Sequence, residues 1–436
     1  MQTTLENLLT DAIRAIIGMA EEGGVKTFPT HEYTIQWMEP LTETSSHSKE
    51  EVRTEPSYRE FKRNFVGQLE QLPEVVELKN KAKEFAEREG KFPFHFPAEN
   101  FAAMMGGILI DEYFYENKSL IIINFDIIRQ LCCNFINDVR AEDMTLRIIY
   151  LVNNLKADSA FQLNENIKFR PVSMDDIDAY ARVGYWGPFY ESYKCIDKKN
   201  WICEAERKIK KSDGDGANYF HEIVHNIVLS LNLAVSSQAT FYCLRNSAAS
   251  KFLDFSWAHG GSDIPCSRSG EVVALNADHI AKAQGIYDSL EKVEKEKSLE
   301  FLKLPLRRLR LSATRQEAED HLIDCVIALE RLLAPDNSKA ETTYRFVLRG
   351  AALLPPDFGS SEKRKELMDK LYKERSNTVH GKIPKDMNEL NVKAERVLRQ
   401  IILWYLKKGI TIGKDANEIV KKIDLSFIDA GQKWQI

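Results

Sequence analysis

Apolar residues recur with a helical period along most of the chain after residue 276. In the segment 315–334 they occupy positions 322, 326, 329 and 333, which lie on one face of a helix. Similar patterns predict further helices over 276–311, 342–354, 361–380, 387–408 and 414–424, with Pro305 as a candidate break in the first. Gly381 is the predicted left-handed cap of the helix over 361–380. Amphipathic helices joined by short loops predict an antiparallel bundle.

The first 270 residues mix two kinds of pattern. The helical period appears over 5–21, 73–89, 125–139 and 214–233. Clustered β-branched residues predict strands over 106–116 and 118–124, whereas the polar stretch 40–57 predicts a mobile loop. We therefore expect an α+β protein. Its expected parts are a mixed α and β N-terminal domain over 1–270, a candidate sensor or regulatory domain, then a helical bundle over 276–410 and a C-terminal tail over 411–436.

Composition narrows the class of protein. The apolar runs 119–128 and 399–406 are too short to span a membrane, and the N-terminus lacks the pattern of a secretory leader. The seven cysteines are scattered without a CxxC pair, which predicts reduced thiols and no zinc–cysteine site. We expect a cytoplasmic protein without a membrane partner.

Charge is uneven along the chain. Residues 301–408 carry 22 Lys and Arg against 15 Asp and Glu, so the remainder of this chain of net charge −5 carries −12. A basic segment within an acidic protein favours a polyanionic partner such as RNA, although a solvated helix face has the same composition.

One pair of residues in this basic segment has the chemistry of RNA cleavage. Arg375 and His380 stand five positions apart near the end of a predicted helix. On a regular helix such residues are separated by about 140°, so they converge only if the last turn unwinds or bends. A histidine can move protons to and from the reacting oxygens, while a guanidinium holds the phosphate. This spacing is common by chance, and an exposed Arg with a capping His is the alternative.

The surrounding sequence resembles the Apea-like branch of the HEPN family. The resemblance is carried by four parts in the family's order: ALERLL, YRFVLRGAALL, RSNTVHG and VLRQIIL, within about 280–408. It implies a helical bundle, a homodimer, and a metal-independent endoribonuclease whose composite site uses Arg375 and His380 of each subunit. It also implies a role in antiviral defence through abortive infection. Many family members have Asn, Asp or His directly after the Arg, whereas this chain has Ser376 followed by Asn377.

Within that frame other polar residues acquire candidate roles. Glu330 could orient Arg375 or His380, and Arg345 or Arg349 could bind RNA phosphate; ordinary ion pairs are the alternative for each. Ser376, Asn377 and Thr378 are supporting candidates, and Asn377 and Thr378 could donate to the phosphate or cap the helix end.

A competing motif, HEIVH, lies at 221–225. On a helix His221 and His225 share a face and can chelate zinc, with Glu222 as the general base of a peptidase. No third ligand follows in a recognised pattern: Asp254, Glu271, His259 and His279 have no pattern support, and a buried structural helix is the alternative. The principal hypothesis is therefore an RNA endonuclease without cofactor, with an unknown trigger acting on the N-terminal domain. A zinc-dependent peptidase and a catalytically inactive HEPN scaffold are the alternatives.

Overall fold

The computed structural model describes residues 1–40, 46–89, 98–153, 155–177, 196–197, 201–210, 216–235, 240–248, 273–312, 315, 317–335 and 341–432. The chain divides into two compact units. The first comprises Met1–Asn153, Glu165–Glu222 and Tyr242–Ser262; the second comprises Asn154–Asn164, Ile223–Phe241 and Asp263–Ile436. Helices and antiparallel strands occur together, as the predicted α+β class requires.

The core of the first unit is helical. Its helices are α1 (Gln2–Glu22), α2 (Tyr58–Leu69), α3 (Pro73–Glu89), α4 (Ala98–Asn117) and α5 (Phe125–Arg140). Helix α1 packs against α3, α4 and α5, and it buries leucines and isoleucines at helical spacing. An added Cβ at Gly106 of α4 would lie 2.5 Å from the Cα of Lys79 in α3. Glycine at this position therefore allows the two backbones to approach closely.

The predicted strands at 106–116 and 118–124 are wrong. Residues 106–116 lie within α4, where the buried positions 109, 110, 113 and 114 have helical spacing. Residues 118–124 form no regular element. Their backbone is held by side chains, because Asn117 donates to the carbonyls of Ser119 and Ile122, and Asn124 caps α5. Tertiary packing thus outweighed the strand preference of the β-branched residues.

The first unit also contains strands. β1 (Thr30–Pro40) pairs antiparallel with β2 (Ser46–Pro56). The predicted loop over 40–57 is therefore wrong for residues 46–56, while 41–45 lie outside the described residues. A second sheet places β3 (Asp143–Asn153) against β8 (Trp201–Lys210), which also pairs with β6 (Ile167–Pro171), all antiparallel. The other short strands of the chain, in either unit, are β4 (Leu155–Ala157), β5 (Phe161–Asn164), β7 (Ile196–Asp197), β9 (Thr240–Ala248) and β10 (Val273–Leu275).

The second unit is dominated by helices. After α6 (Gly216–Ala234), which spans the division between the units, its principal helices are α7 (Ala277–Lys295), α8 (Lys303–Ser312), α9 (Ala318–Leu333), α10 (Thr342–Leu353), α11 (Ser361–Val379), α12 (Met387–Trp404) and α13 (Ala416–Gln432). Short 3-10 helices cover Lys297–Leu302 and Pro356–Phe358, and a π turn covers Tyr405–Gly409 before a helical turn at Ile410–Ile412. The helices predicted over 315–334, 342–354 and 361–380 are confirmed within a few residues at each end.

The break in the predicted helix 276–311 lies at Glu296 rather than at Pro305. Glu296 has an extended backbone, with φ −101° and ψ 113°. Pro305 is the third residue of α8, where its missing N–H costs no helical hydrogen bond.

Helix α9 lies at the centre of this unit. It packs against α8, α10, α11, α12 and α13, and it buries Leu322, Val326, Leu329 and Leu333, the four positions of the predicted apolar face. On its neighbours, Gly350 of α10 touches Met368 of α11, where an added Cβ would meet the methionine side chain at 2.3 Å. The small residue therefore permits the close packing of α10 on α11.

The ends of the helical unit differ from the predicted division at 276 and 410. The C-terminal end of α6 belongs to this unit, since Lys282 Nζ donates to the carbonyl of Ala234 at 3.1 Å and Arg399 Nη1 donates to that of Asn232. The predicted tail contains α13, which packs on α9 and α10. None of the helices within the described ranges is long and apolar enough to cross a membrane.

Candidate active site

Helix α11 ends in a hydrogen-bonded cap that fixes the position of His380. Gly381 has φ +79°, its N–H donates to the carbonyl of Thr378 at 2.9 Å, and the N–H of Lys382 donates to that of Asn377 at 2.9 Å. These two bonds define a Schellman motif, so the predicted left-handed glycine cap is confirmed. His380 is the last residue before this glycine and its side chain is exposed.

Arg375 points from α11 towards α9. Its Nη2 lies 3.6 Å from Oε2 of Glu330, and the two side chains are 28% and 23% exposed. This separation is too long for a hydrogen bond. The Nε of Arg375 is excluded from solvent and finds no acceptor among the described residues. The guanidinium is therefore held near one carboxylate while some of its donors stay unused.

The partial burial of Glu330 changes its acidity. Desolvation raises the pKa of this carboxyl, and the positive charge of Arg375 acts in the opposite direction with a smaller effect. The predicted link between Glu330 and Arg375 is present as this long ion pair. Between Glu330 and His380, the described residues contain no hydrogen bond or ion pair.

The last turn of α11 does not unwind, although the side chains of Arg375 and His380 could converge within one chain only if it did. The helix stays regular to Val379, and Arg375 faces α9 while His380 is exposed at the helix end. Arg375 and His380 share no hydrogen bond or ion pair in the described part of the chain. The two side chains are close in sequence, but within the described residues they make no direct contact of this kind.

The residues between them support the helix end. Thr378 is buried and its Oγ1 donates to the carbonyl of Glu374 at 2.7 Å. Asn377 is partly exposed and its Nδ2 donates to Oε2 of Glu374 at 3.1 Å. Ser376 is partly exposed, and its carbonyl accepts from the N–H of His380 at 3.3 Å. The hydroxyl of Thr378 is thus bonded to a carbonyl within the helix, one turn back, while Asn377 is partly exposed.

The two arginines of α10 make ion pairs. Arg349 is 3% exposed, and all three of its guanidinium nitrogens are engaged: Nε and Nη2 donate to Asp424 at 2.9 and 2.6 Å, and Nη1 donates to the carbonyl of Leu333 at 2.6 Å. These contacts are those of the alternative reading, an interhelical ion pair, and they direct all three guanidinium nitrogens of Arg349 to groups inside the unit. Arg345 is 33% exposed and lies 3.8 Å from Glu341 one turn away.

The partner of Arg349 was not predicted from the sequence. Asp424 lies on α13, in the segment predicted to be a tail. The apolar residues Ile419, Val420 and Ile423, which are buried, have the helical spacing that would have identified this helix as part of the bundle.

Exposed lysines surround the end of α11. Lys373, Lys382 and Lys385 are exposed and form no ion pair within the described chain, whereas Lys370 pairs with Asp386 at 2.7 Å. Cations near a helix C-terminus are favoured by the helix dipole, and Lys382 and Lys385 follow His380 within five residues of the chain.

The HEIVH segment lies on α6, as the zinc hypothesis requires of its backbone. His225 is 6% exposed; the side chains of His221 and Glu222 lie outside what the structure describes. His279 takes part in the capping box of α7 with Asn276, while Asp254, His259 and Glu271 fall outside the described residues. Where side chains are described, no three histidines, cysteines or acids are grouped to hold a metal ion.

No protein-family profile, curated protein or solved structure matches this chain. Its function is therefore argued from the helix end that carries Arg375 and His380.

Proposed function

We propose that this protein is a metal-independent endoribonuclease of the HEPN type. The observation that carries the proposal is the state of Arg375, whose guanidinium retains unused donors five residues before an exposed histidine. The capped end of α11 holds the backbone of both residues, and unpaired lysines lie next to them in sequence. Such a helix end suits an RNA phosphodiester, because it offers positive charge together with a titratable imidazole.

The reaction that fits these groups is transesterification within the RNA chain. The 2′-oxygen of a ribose attacks the adjacent phosphorus, a new 2′-O–P bond forms, and the P–O5′ bond breaks. One imidazole takes the proton of the 2′-hydroxyl, an imidazolium gives a proton to the leaving 5′-oxygen, and Arg375 stabilises the charge on the phosphate oxygens. The products are a 2′,3′-cyclic phosphate and a 5′-hydroxyl, and no cofactor takes part.

A homodimer completes the site in this proposal. Arg375 and His380 lie on different sides of the same helix end, so a phosphate held by one subunit's Arg375 is out of line with that subunit's His380. A second copy placed end to end against α11 supplies the missing group from the other side. In-line attack also requires a splayed backbone, so the substrate is single-stranded or looped RNA.

The cellular role proposed here is antiviral defence. Cleavage of RNA in the cytoplasm halts growth of an infected cell, and the first unit restrains the nuclease until it meets a trigger. Its acidic composition, against the basic segment 301–408, supports a regulatory rather than an RNA-binding task.

Incubation of the purified protein with total RNA in EDTA tests this proposal. The wild type is expected to cleave RNA, and His380→Ala is expected to leave it intact although it folds normally. Cleavage that requires an added metal, or that survives the substitution, contradicts the proposal. Intact RNA with both proteins supports an inactive scaffold instead. A zinc content that is lost in His221→Ala, together with peptide hydrolysis, would support the peptidase hypothesis.

A further inference from the structure

The Arg375–Glu330 pair lacks the hydrogen bonds of a structural ion pair. The distance of 3.6 Å leaves Nη2 without a hydrogen bond to the carboxylate, and Nε has no acceptor in the part of the chain that the structure describes. Arg349, one helix away, uses every guanidinium nitrogen. An arginine that keeps free donors can accept a further anion.

Glu330 controls how much positive charge that anion meets. A carboxylate at this distance offsets much of the charge of Arg375, and it keeps the guanidinium turned towards α9. When the carboxylate becomes neutral, the guanidinium retains its full charge and can turn towards a phosphate. The raised pKa of Glu330, caused by burial, means that this change needs less acid than for an exposed carboxyl.

We infer that Glu330 is a positioning residue that restrains Arg375, so that the site binds RNA phosphate more tightly once this carboxylate loses its charge. The inference rests on the proposed function, because it assumes that Arg375 is the phosphate-binding group. It adds a regulation that resides within one subunit, between α9 and α11.

Several charged groups on the neighbouring helices make ion pairs elsewhere. Arg308 of α8 pairs with Asp324, and Glu395 of α12 pairs with Arg399 and lies 3.6 Å from His321. Arg349 of α10 pairs with Asp424 of α13. Of the charged groups on the described helices packed against α9, Arg375 is the one that shifts the pKa of Glu330.

Binding of a fluorescent 2′-O-methyl RNA strand tests this inference without cleavage, because the probe lacks the attacking hydroxyl. The full-length proteins carry His380→Ala, which removes the imidazole from the comparison, with and without Glu330→Gln. At pH 8 and low salt, Glu330→Gln is expected to bind about threefold to tenfold more tightly. As the pH is lowered, the parent is expected to approach the affinity of Glu330→Gln, whose own affinity changes little.

Glu366→Gln is the matched control, since it removes the same charge from an exposed position of α11. It is expected to change binding less than Glu330→Gln does, and to leave the pH dependence intact. Glu330→Met replaces Glu330→Gln if the latter fails to fold, with the same expectation.

Equal or weaker binding by folded Glu330→Gln or Glu330→Met overturns the inference while leaving the nuclease proposal in place. Binding that is pH-independent in the parent also overturns it. If the wild type neither cleaves RNA nor binds the probe, both this inference and the proposed function fail.

Discussion

Two arginines of the helical unit have opposite environments. Arg349 is almost fully buried and its guanidinium makes three hydrogen bonds, two of them to Asp424. Arg375 is 28% exposed, lies 3.6 Å from Glu330 and leaves Nε without an acceptor among the described residues. Both were candidates for phosphate binding, because sequence places both on amphipathic helices of a basic segment. A structural arginine is therefore distinguished from one that is available to a ligand by the hydrogen bonds that its guanidinium makes, and not by the presence of an arginine in the sequence.

The difference follows from whether each arginine connects helices of the unit by hydrogen bonds. Arg349 joins the C-terminal end of α9, through the carbonyl of Leu333, to α13 through Asp424. A buried charge of this kind needs all its partners, because leaving one unpaired is costly. Arg375 makes no such hydrogen-bonded connection, since its contact with Glu330 is long and both side chains retain access to solvent.

Substitution of Arg349 should have the largest effect on stability. Arg349→Ala removes the bidentate pair, leaves the carbonyl of Leu333 without this donor and opens a void between helices. We expect the free energy of unfolding to fall by about 3 kcal/mol, measured by urea denaturation. The matched control is Arg345→Ala on the same helix, where the more exposed pair should cost less than about 1 kcal/mol. Equal losses for the two variants would contradict the structural role of Arg349.

Substitution of the glycine that ends α11 should have an intermediate effect. Gly381→Ala forces a side chain onto a backbone with φ +79°, while its Cβ would meet nothing within 4 Å. The expected loss of about 1 kcal/mol is therefore a backbone cost alone. Because the cap positions His380, RNA cleavage should also decrease.

The control for that glycine is Gly285→Ala. Gly285 lies within α7, and an added Cβ there would also meet nothing within 4 Å. Alanine in a helix interior is expected to stabilise by up to about 1 kcal/mol. Destabilisation of similar size by both substitutions would mean that the left-handed cap is not what Gly381 contributes.

Substitution of Arg375 should have the smallest effect on stability. Arg375→Gln is expected to change the free energy of unfolding by less than about 1 kcal/mol, because its ion pair is long and partly exposed. A loss as large as that of Arg349→Ala, in the same urea experiment, would show that Arg375 is a structural residue and would remove the contrast between the two arginines.

Much of the helical unit was predictable from sequence, because the helical period of its apolar residues coincides with strong local stop signals. Pro335 and Gly381 follow α9 and α11 as such signals require. The first unit was less predictable. Residues 106–116 would bury overlapping sets of apolar residues as a helix or as a strand, so packing against α3 decides between the two conformations. The strand over 46–56 carries polar residues on both faces, and its period of two is absent.

The candidate site was predictable in its residue types and only partly in its geometry. The Gly381 cap was predicted from a local pattern, and local hydrogen bonds form it. The long distance between Arg375 and Glu330, and the complete pairing of Arg349, depend on contacts between residues 45 and 75 positions apart. Such contacts are set by the packing of the helices, so they cannot be predicted from the spacing of residues in the sequence.

Cleavage kinetics with a defined single-stranded RNA in EDTA test the central claim most directly. Wild type, Arg375→Gln and His380→Ala are compared at equal concentrations of folded protein, and the ends of the products are mapped. We expect the wild type to leave 2′,3′-cyclic phosphates and 5′-hydroxyls, and each variant to lose at least about a hundredfold in rate. Cleavage by Arg375→Gln at the wild-type rate, or products that carry 5′-phosphates, would contradict the claim that Arg375 and His380 form a ribonuclease site.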